Sequence, residues 1–158
     1  MYEESKKMKQ ISTLLSAAVL GIVVSATATA QVKPEVMVKQ RQSAMALQGK
    51  YFGPLGAMAQ DKAPFKADVV AYNASLLDAL SRMPWDGFDA STKDVKSAAL
   101  PAVFSDTAKF KAAQDQFHSA MDKLVVVSKG GDMAATKAAI GAVGKTCGGC
   151  HDNFRQKP

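Results

Sequence analysis

The stretch Cys147-Gly148-Gly149-Cys150-His151, close to the end of the 158-residue chain, decides how the remaining sequence is interpreted. Two thiols three residues apart, with a histidine directly after the second, are the attachment signature of a c-type haem. Each thiol can bond one vinyl group of the porphyrin, and the imidazole can bind the iron. Spacings of i, i+3, i+4 and i+7 place both thiols, the imidazole and Phe154 on one helical face. The stretch therefore predicts a helix that carries one covalently bound haem, with Phe154 packing beside it.

Two other uses of a C-x-x-C pair compete with haem attachment. A redox dithiol typically opens a helix within a βαβ unit, and the sequence predicts no strand before Cys147. A zinc site needs about four ligands, which are hard to assemble from two cysteines and two histidines. Because His151 directly follows the second thiol, haem attachment is favoured, and a haem-free dithiol bundle stays as an alternative. Both cysteines belong to the motif, so no structural disulfide is available.

The first thirty residues have the pattern of a secretory signal peptide. Three lysines lie between residues 6 and 9, residues 11–24 are mostly apolar, and Ala28-Thr29-Ala30 forms an A-x-A cleavage site. The apolar core is too short for an ordinary transmembrane helix, and an uncleaved N-terminal anchor is the alternative. We therefore expect a cleaved signal peptide over residues 1–30.

The mature domain is predicted to span residues 31–158. Met8 would give a more ordinary signal-peptide start than Met1, so Met8 is an alternative start of the chain. An exported chain that attaches haem through C-x-x-C-H indicates a bacterial periplasm, without a membrane anchor after cleavage. The whole chain has 20 Lys and Arg against 14 Asp and Glu. These charges are interspersed rather than clustered, so nucleic-acid binding is not indicated.

Apolar residues at helical spacing predict four amphipathic helices. Their predicted bounds are residues 33–58, 65–82, 105–128 and 132–156. Pro54 predicts a kink or an early stop in the first helix. Between the second and third helices, residues 83–101 form a long connection, in which Ser91 is expected to cap a short helix that ends at Leu100.

The four helices are predicted to turn their apolar faces inward. The predicted inward residues are Val38, Arg41, Met45, Gln48, Phe52 and Leu55; Phe65, Val69, Tyr72, Leu76, Leu77 and Leu80; Phe110, Phe117, Met121 and Leu124; and Met133, Lys137, Ile140, Val143, Cys147 and His151. Asn73 is expected at the edge of its stripe. This pattern predicts an all-α, up-down-up-down antiparallel four-helix bundle that encloses the haem.

Three segments of the mature chain resemble the cytochromes c′, the class II c-type cytochromes. Residues 41–45 (Arg-Gln-Ser-Ala-Met) resemble the first-helix segment of that family. Residues 83–88 (Met-Pro-Trp-Asp-Gly-Phe) resemble its aromatic loop, and residues 147–155 resemble its haem segment. A haem motif near the C-terminus is distinctive, because the common small cytochromes c carry it near the N-terminus.

This resemblance implies one haem c bound through Cys147 and Cys150, with His151 as the proximal iron ligand. The iron in the family is typically five-coordinate and high-spin, and an apolar first-helix side chain blocks its distal side. Met45 occupies that position here. The family binds small diatomic gases, nitric oxide above all, and often forms homodimers through the first two helices.

Met45 decides between two mechanisms. A thioether can ligate iron, and His/Met ligation suits a one-electron carrier, as in low-spin relatives of the family. A flexible apolar side chain can instead fill the distal space without a bond. The flanking residues look most like the high-spin members, which favours a non-ligating Met45, and a plain core methionine is a third reading.

Further side chains are candidates for contact with the haem. Arg41 is expected to pair with a haem propionate, the alternative being a solvated surface arginine, and Gln42 or Gln48 can assist it. Arg155, four residues after His151, is expected on the same helical face, where it shields or tunes the imidazole or only complements the helix dipole.

Trp85 and Phe88 are expected either to cover the end of the bundle or to form a wall of the haem site. His118, the second histidine, is interpreted as a surface or edge residue. We find no nucleophile with an oriented base and no phosphate-binding loop, so no catalytic residue is assigned. Three hypotheses follow: a gas-binding haem protein, a His/Met electron carrier with an unidentified redox partner, and the haem-free dithiol bundle.

Overall fold

Four helices form the protein in the computed structural model, which describes residues 32–157. They are α1 (Pro34–Ala59), α2 (Ala67–Ser81), α3 (Thr107–Val127) and α4 (Met133–Phe154). Consecutive helices pack against each other, and α4 also packs against α1. The predicted four-helix bundle is therefore confirmed. The predicted signal peptide and its cleavage site lie outside the described residues.

Local sequence signals explain where α1, α3 and α4 begin. The Asp106 carboxylate accepts from the Lys109 amide at 3.2 Å, and the Asp132 carboxylate accepts from the Ala135 amide at 3.0 Å. Side-chain oxygens at these positions satisfy amides that have no partner inside the helix. Pro34 begins α1, where a missing amide costs nothing. None of the helices between residues 32 and 157 is long and apolar enough to cross a bilayer.

Pro54 lies inside α1, and the helix continues past it to Ala59. The early stop is therefore wrong. A proline leaves the carbonyl four residues earlier without its helical partner, and here that carbonyl belongs to Lys50, an exposed residue. Water can satisfy a carbonyl on the exposed face, so the helix continues.

The inward face of α2 differs by one residue from the prediction. Tyr72 was expected inside, but it is 62% exposed, whereas Val70, Ala74 and Leu77 are buried. Leu77 and Leu80 are buried as predicted, so the error affects the first half of the stripe, which was counted from Phe65, a residue that precedes the helix. Asn73, expected at an edge, is buried, and its amide donates to the Tyr51 carbonyl of α1 at 3.2 Å. Met133 was also expected inside, but it is exposed in the first turn of α4.

The buried apolar core fills one half of the bundle. Its members come from the C-terminal half of α1, the central part of α2, the central and C-terminal parts of α3 and the N-terminal half of α4; they are Leu55, Met58, Val70, Ala74, Leu77, Phe117, Met121, Leu124, Ile140 and Val143. The C-terminal parts of α1 and α3 lie beside the N-terminal half of α4 only when consecutive helices run antiparallel. The opposite end, which includes the C-terminus of α4, holds the candidate site.

The α2–α3 connection, residues 82–106, contains only short helical turns. These are two 3₁₀ turns, Trp85–Phe88 and Ala90–Thr92, and one α-helical turn, Ala102–Ser105. The predicted helix from Ser91 to Leu100 is wrong. Asp89 caps the second turn instead, because its carboxylate accepts from the Ser91 amide at 2.8 Å.

Extended backbone replaces that helix because the connection pairs with the chain just after α4. The Leu100 amide donates to the Phe154 carbonyl at 2.9 Å, and the Gln156 amide donates to the Ala98 carbonyl at 2.8 Å. A helix would direct these groups along its own axis and lose both bonds. The pairing closes the connection over the end of the bundle.

Candidate functional site

A cavity of about 600 Å³ opens at the end of the bundle where α4 finishes. This volume lies within the range of about 300–1,000 Å³ that is usual for cofactor sites. The structure places all ten residues predicted to contact the cofactor in its wall: Arg41, Gln42, Met45, Trp85, Phe88, Cys147, Cys150, His151, Phe154 and Arg155. The site therefore draws on α1, the α2–α3 connection, α4 and the residue that follows α4.

Both thiols and the imidazole lie in the last two turns of α4 and line the cavity. Burial raises the pKa of the Cys147 and Cys150 thiols, so both are protonated at neutral pH. Burial, and next the charge of Arg155, lower the pKa of His151. A neutral imidazole keeps the lone pair that binds a metal. Among residues 32–157, no cluster of three or more His, Cys, Asp and Glu side chains is arranged as a metal site.

Apolar side chains form most of the cavity wall that faces the thiols and the imidazole. Met45 of α1 is half-buried and lies in this wall with Phe52, Leu77 and Val143. A flat apolar macrocycle gains free energy from burial against such a wall, by about 25 cal/mol per Å² of apolar surface. The shape and chemistry of the cavity therefore fit a porphyrin.

Arg41 is the one strongly buried cation of this wall and is 4% exposed. Its guanidinium donates to the Gly87 carbonyl, to the Thr92 hydroxyl at 3.2 Å and to the Ser97 hydroxyl at 2.8 Å. It also lies 4.5 Å from the centre of the Phe88 ring. Burial lowers the pKa of this guanidinium, which nevertheless stays charged. The alternative of a solvated surface arginine is therefore wrong.

The two glutamines near Arg41 differ in role. Gln48 is buried, and its amide donates to the Leu80 carbonyl near the end of α2 at 2.9 Å. Gln42 is exposed at the rim of the cavity. Gln48 thus ties α1 to α2, and only Gln42 keeps its amide free of a side-chain bond to described residues.

Arg155 does not continue α4, contrary to the expectation that it shares the face of His151. Its backbone is extended, with φ −124° and ψ 135°, and it pairs with Ala99. The helix stops because residues 154–156 form the backbone bonds with the α2–α3 connection described above. The guanidinium still lines the cavity, and its charge contributes to the lowered pKa of His151.

Trp85 and Phe88 line the cavity and pack against the end of α2 and the start of α3. The Trp85 indole donates to the Ser81 carbonyl at 2.6 Å, and Phe88 packs edge-on against Phe110 at 4.9 Å. Phe154 continues this aromatic cluster, 5.1 Å from Phe110.

His118 lies outside the cavity wall. Its ring packs edge-on against Trp85 at 5.5 Å, and Nε2 lies 3.1 Å from the Ser81 carbonyl. This half-buried position agrees with the interpretation of His118 as an edge residue.

Three residues at the site were not found from the sequence. Gly87, Thr92 and Ser97 hold Arg41, but they lie in a segment without helical or strand periodicity. Only the nearby aromatic pair marked this segment as part of the site. Their role depends on contacts with residues about fifty positions away, which local patterns do not encode.

Comparison with known proteins identifies the family. The profile described as cytochrome C′ matches residues 36–155. A cytochrome c′ from Rubrivivax gelatinosus is 48% identical over 126 residues, covering 79% of this chain and 98% of that protein.

Solved structures show the same fold. The crystal structure of cytochrome c′ from Rubrivivax gelatinosus has a TM-score of 0.76 at 47% identity, covering 78% of this chain and 98% of that one. A nitric oxide complex of a cytochrome c prime variant from Alcaligenes xylosoxidans has a TM-score of 0.74 at 37% identity, covering 80% and 98%. Together with the profile match and the two thiols of the motif, these similarities establish that the chain belongs to the cytochrome c′ family and carries one covalently bound haem c.

Proposed function

We propose that the protein is an exported haem c protein that binds nitric oxide or another diatomic gas at a five-coordinate iron. The observation that carries this proposal is the cavity in which the two thiols, His151 and Met45 meet. Bound haem would supply an iron that takes a diatomic ligand and exchanges one electron. The chain supplies the attachment, one axial ligand and the walls.

His151 is proposed as the axial ligand. Its lowered pKa keeps the imidazole neutral in the acid range where an ordinary histidine would begin to protonate. Cys147 lies one turn before His151 on α4, and Cys150 directly precedes His151. Thioether bonds from both residues would hold the macrocycle against this imidazole. The neighbouring Arg155 adds positive charge to that side of the cavity.

Met45 is proposed to cover the opposite side without bonding to iron. The wall around it is apolar and includes Phe52 and Leu77, so it offers little polar stabilisation to competing ligands such as water. An uncharged diatomic gas enters such a space at low cost. The nitric oxide complex of a variant of the 37% identical relative supports gas binding within this fold.

The optical spectrum is expected to separate the two modes of iron ligation. The purified wild-type holoprotein should show a broad high-spin Soret band, and its ferrous form should bind nitric oxide. Met45→Ala should leave the spin state unchanged, because no iron–sulfur bond is removed. Met133→Ala, which alters an exposed methionine outside the cavity, is the matched control.

Sharp low-spin bands that vanish in Met45→Ala but persist in Met133→Ala would contradict a five-coordinate iron. They would establish His/Met ligation and the electron-carrier alternative. Absence of a Soret band would contradict both haem hypotheses and support the haem-free dithiol bundle.

We also propose a periplasmic location, with a cleaved signal peptide over residues 1–30 and a mature domain over residues 31–158. Support comes from the basic and apolar segments before Ala28-Thr29-Ala30. The redox partner is not specified by any residue pattern, and we assign no enzymatic activity.

A homodimer through α1 and α2 is proposed from exposed apolar side chains on these helices. Val36 and Leu47 are eleven residues apart and so share one face of α1. Tyr72 of α2 is 62% exposed. Burying these side chains between two copies of the chain would remove apolar surface from water, which lowers the free energy.

Leu47→Glu is expected to convert the dimer to a monomer, because it places charge within the shared apolar face. Sedimentation equilibrium of the holoprotein measures the change, and the dimer dissociation constant should rise at least about tenfold. Val126→Glu, at a 71% exposed position on α3, should leave the association unchanged. Equal dissociation constants for the two variants would exclude this face as the interface.

A further inference from the structure

The donors of Arg41 are divided between the α2–α3 connection and the cavity. A guanidinium carries five N–H donors. Nη1 uses two of them, on the Gly87 carbonyl and the Thr92 hydroxyl, and Nη2 uses one on the Ser97 hydroxyl. One Nη2 donor and the Nε donor have no acceptor among the described residues.

The unused Nε donor remains accessible. No fully enclosed side-chain nitrogen or oxygen lacks a partner among residues 32–157. Nε of Arg41 has no partner and must therefore touch open space, and Arg41 lines the cavity. Two donors on one guanidinium match the two oxygens of a carboxylate.

Charge balance at this position calls for an anion. Every protein acceptor on the guanidinium is neutral, and none of the salt bridges among the described residues includes Arg41. A buried cation without a counter-ion is costly. Haem carries two propionate carboxylates, so the cofactor itself can supply the missing negative charge.

The acceptors that hold Arg41 are themselves fixed. Thr92 is 1% exposed, and its hydroxyl donates to the Asp89 carbonyl at 2.7 Å, which turns its lone pairs towards Arg41. The Ser97 hydroxyl also accepts from the Ala99 amide at 3.3 Å. Ala99 lies within the backbone pairing that joins the connection to the end of α4. Both hydroxyls are therefore anchored to backbone, and one of them is anchored beside the haem motif.

We propose that Thr92 and Ser97 are positioning residues, which orient Arg41 so that its free donors hold a haem carboxylate and its charge raises the reduction potential. The inference rests on the proposed function, because it requires haem in this cavity. Neutral hydroxyls suit this role, since they direct the guanidinium without cancelling its charge. A carboxylate in place of either residue would compete with the haem for the cation.

The test compares Thr92→Val and Ser97→Ala holoproteins with the wild type. Each variant removes one acceptor and lets Arg41 move, so the midpoint potential should fall, because a fixed nearby cation favours the reduced iron. Hydrogen exchange of the Arg41 Nε–H, followed by NMR, should accelerate about tenfold, as expected for the loss of one charge-assisted bond. Thr92→Ser restores a hydroxyl and should restore both readouts.

Thr136→Val is the matched control. Thr136 is also a buried threonine with hydrogen bonds to backbone carbonyls, but it lies near the turn between α3 and α4. Its substitution should reduce stability and leave the potential and the Arg41 exchange unchanged.

Two outcomes overturn the inference. In the first, Ser97→Ala and Thr92→Val load haem and bind nitric oxide, but their midpoint potential and their Arg41 Nε–H exchange rate equal those of Thr136→Val. In the second, Thr92→Ser fails to restore either readout. A wild-type protein without haem or without gas binding would instead contradict the proposed function, so the two failures are distinguishable. Ser97→Ala, at a half-buried position, keeps the test available if Thr92→Val does not fold.

Discussion

Replacing both Cys147 and Cys150 by alanine is expected to give an exported protein without covalently bound haem. Both thioether bonds are lost, and no other cysteine exists in the chain to replace them. Intact mass spectrometry of the periplasmic fraction should give the mass of residues 31–158 for the double variant. The wild type should exceed this mass by that of one haem.

The same variant should unfold at a lower temperature than the wild type. Its cavity of about 600 Å³ would lose the large apolar body that fills it. Single variants, Cys147→Ala and Cys150→Ala, are the controls, since each keeps one thiol for attachment. Covalent haem in the double variant, or none in the wild type, would contradict the attachment site.

Gly87→Ala is expected to destabilise the protein by about 2–3 kcal/mol, as overpacking of a rigid contact does. A Cβ added at Gly87 would lie 2.7 Å from Arg41 Cβ and 2.8 Å from the Met37 carbonyl oxygen. Neither atom can move without shifting α1. The α2–α3 connection must therefore retreat, which also breaks the bond from Arg41 to the Gly87 carbonyl. Urea unfolding of the holoprotein measures the loss as a lower midpoint with an unchanged slope.

Gly141→Ala provides the matched control for this substitution. Gly141 lies on the exposed side of α4, and an added Cβ would meet nothing within 4 Å. Alanine there should stabilise the helix by about 0.5–1 kcal/mol. If Gly87→Ala were as stable as Gly141→Ala, the close approach of the connection to α1 would be absent in solution.

Helix number and the position of the haem motif could be predicted from the sequence because they follow local rules. The inward stripe of α1 was predicted in detail, including the unusual polar members Arg41 and Gln48, since Pro34 fixed where the helix begins. The stripe of α2 was predicted only in part, since no comparable signal marked its start: Leu77 and Leu80 are buried as expected, but Tyr72 is exposed. A one-residue error rotates a helix by 100°, enough to exchange Tyr72 with the buried set.

The α2–α3 connection shows why other parts of the site could not be predicted. Its composition permits a short helix after Ser91, and local rules favour one. The segment instead adopts an extended conformation and pairs through Ala98 and Leu100 with residues 154–156, because this pairing satisfies backbone groups on two segments at once. The same pairing takes Arg155 off the helix.

The sequence by itself determined the chemistry of this protein: two thiols and an imidazole on one helical face, and a chain that forms four amphipathic helices. Those features follow from residue type and spacing along single helices. Only the tertiary structure decided that Arg41 is buried without a carboxylate partner among the described residues and is held by Gly87, Thr92 and Ser97. The reason is that these contacts join residues about fifty positions apart, and they form only when the bundle brings α1 and the α2–α3 connection to the same end.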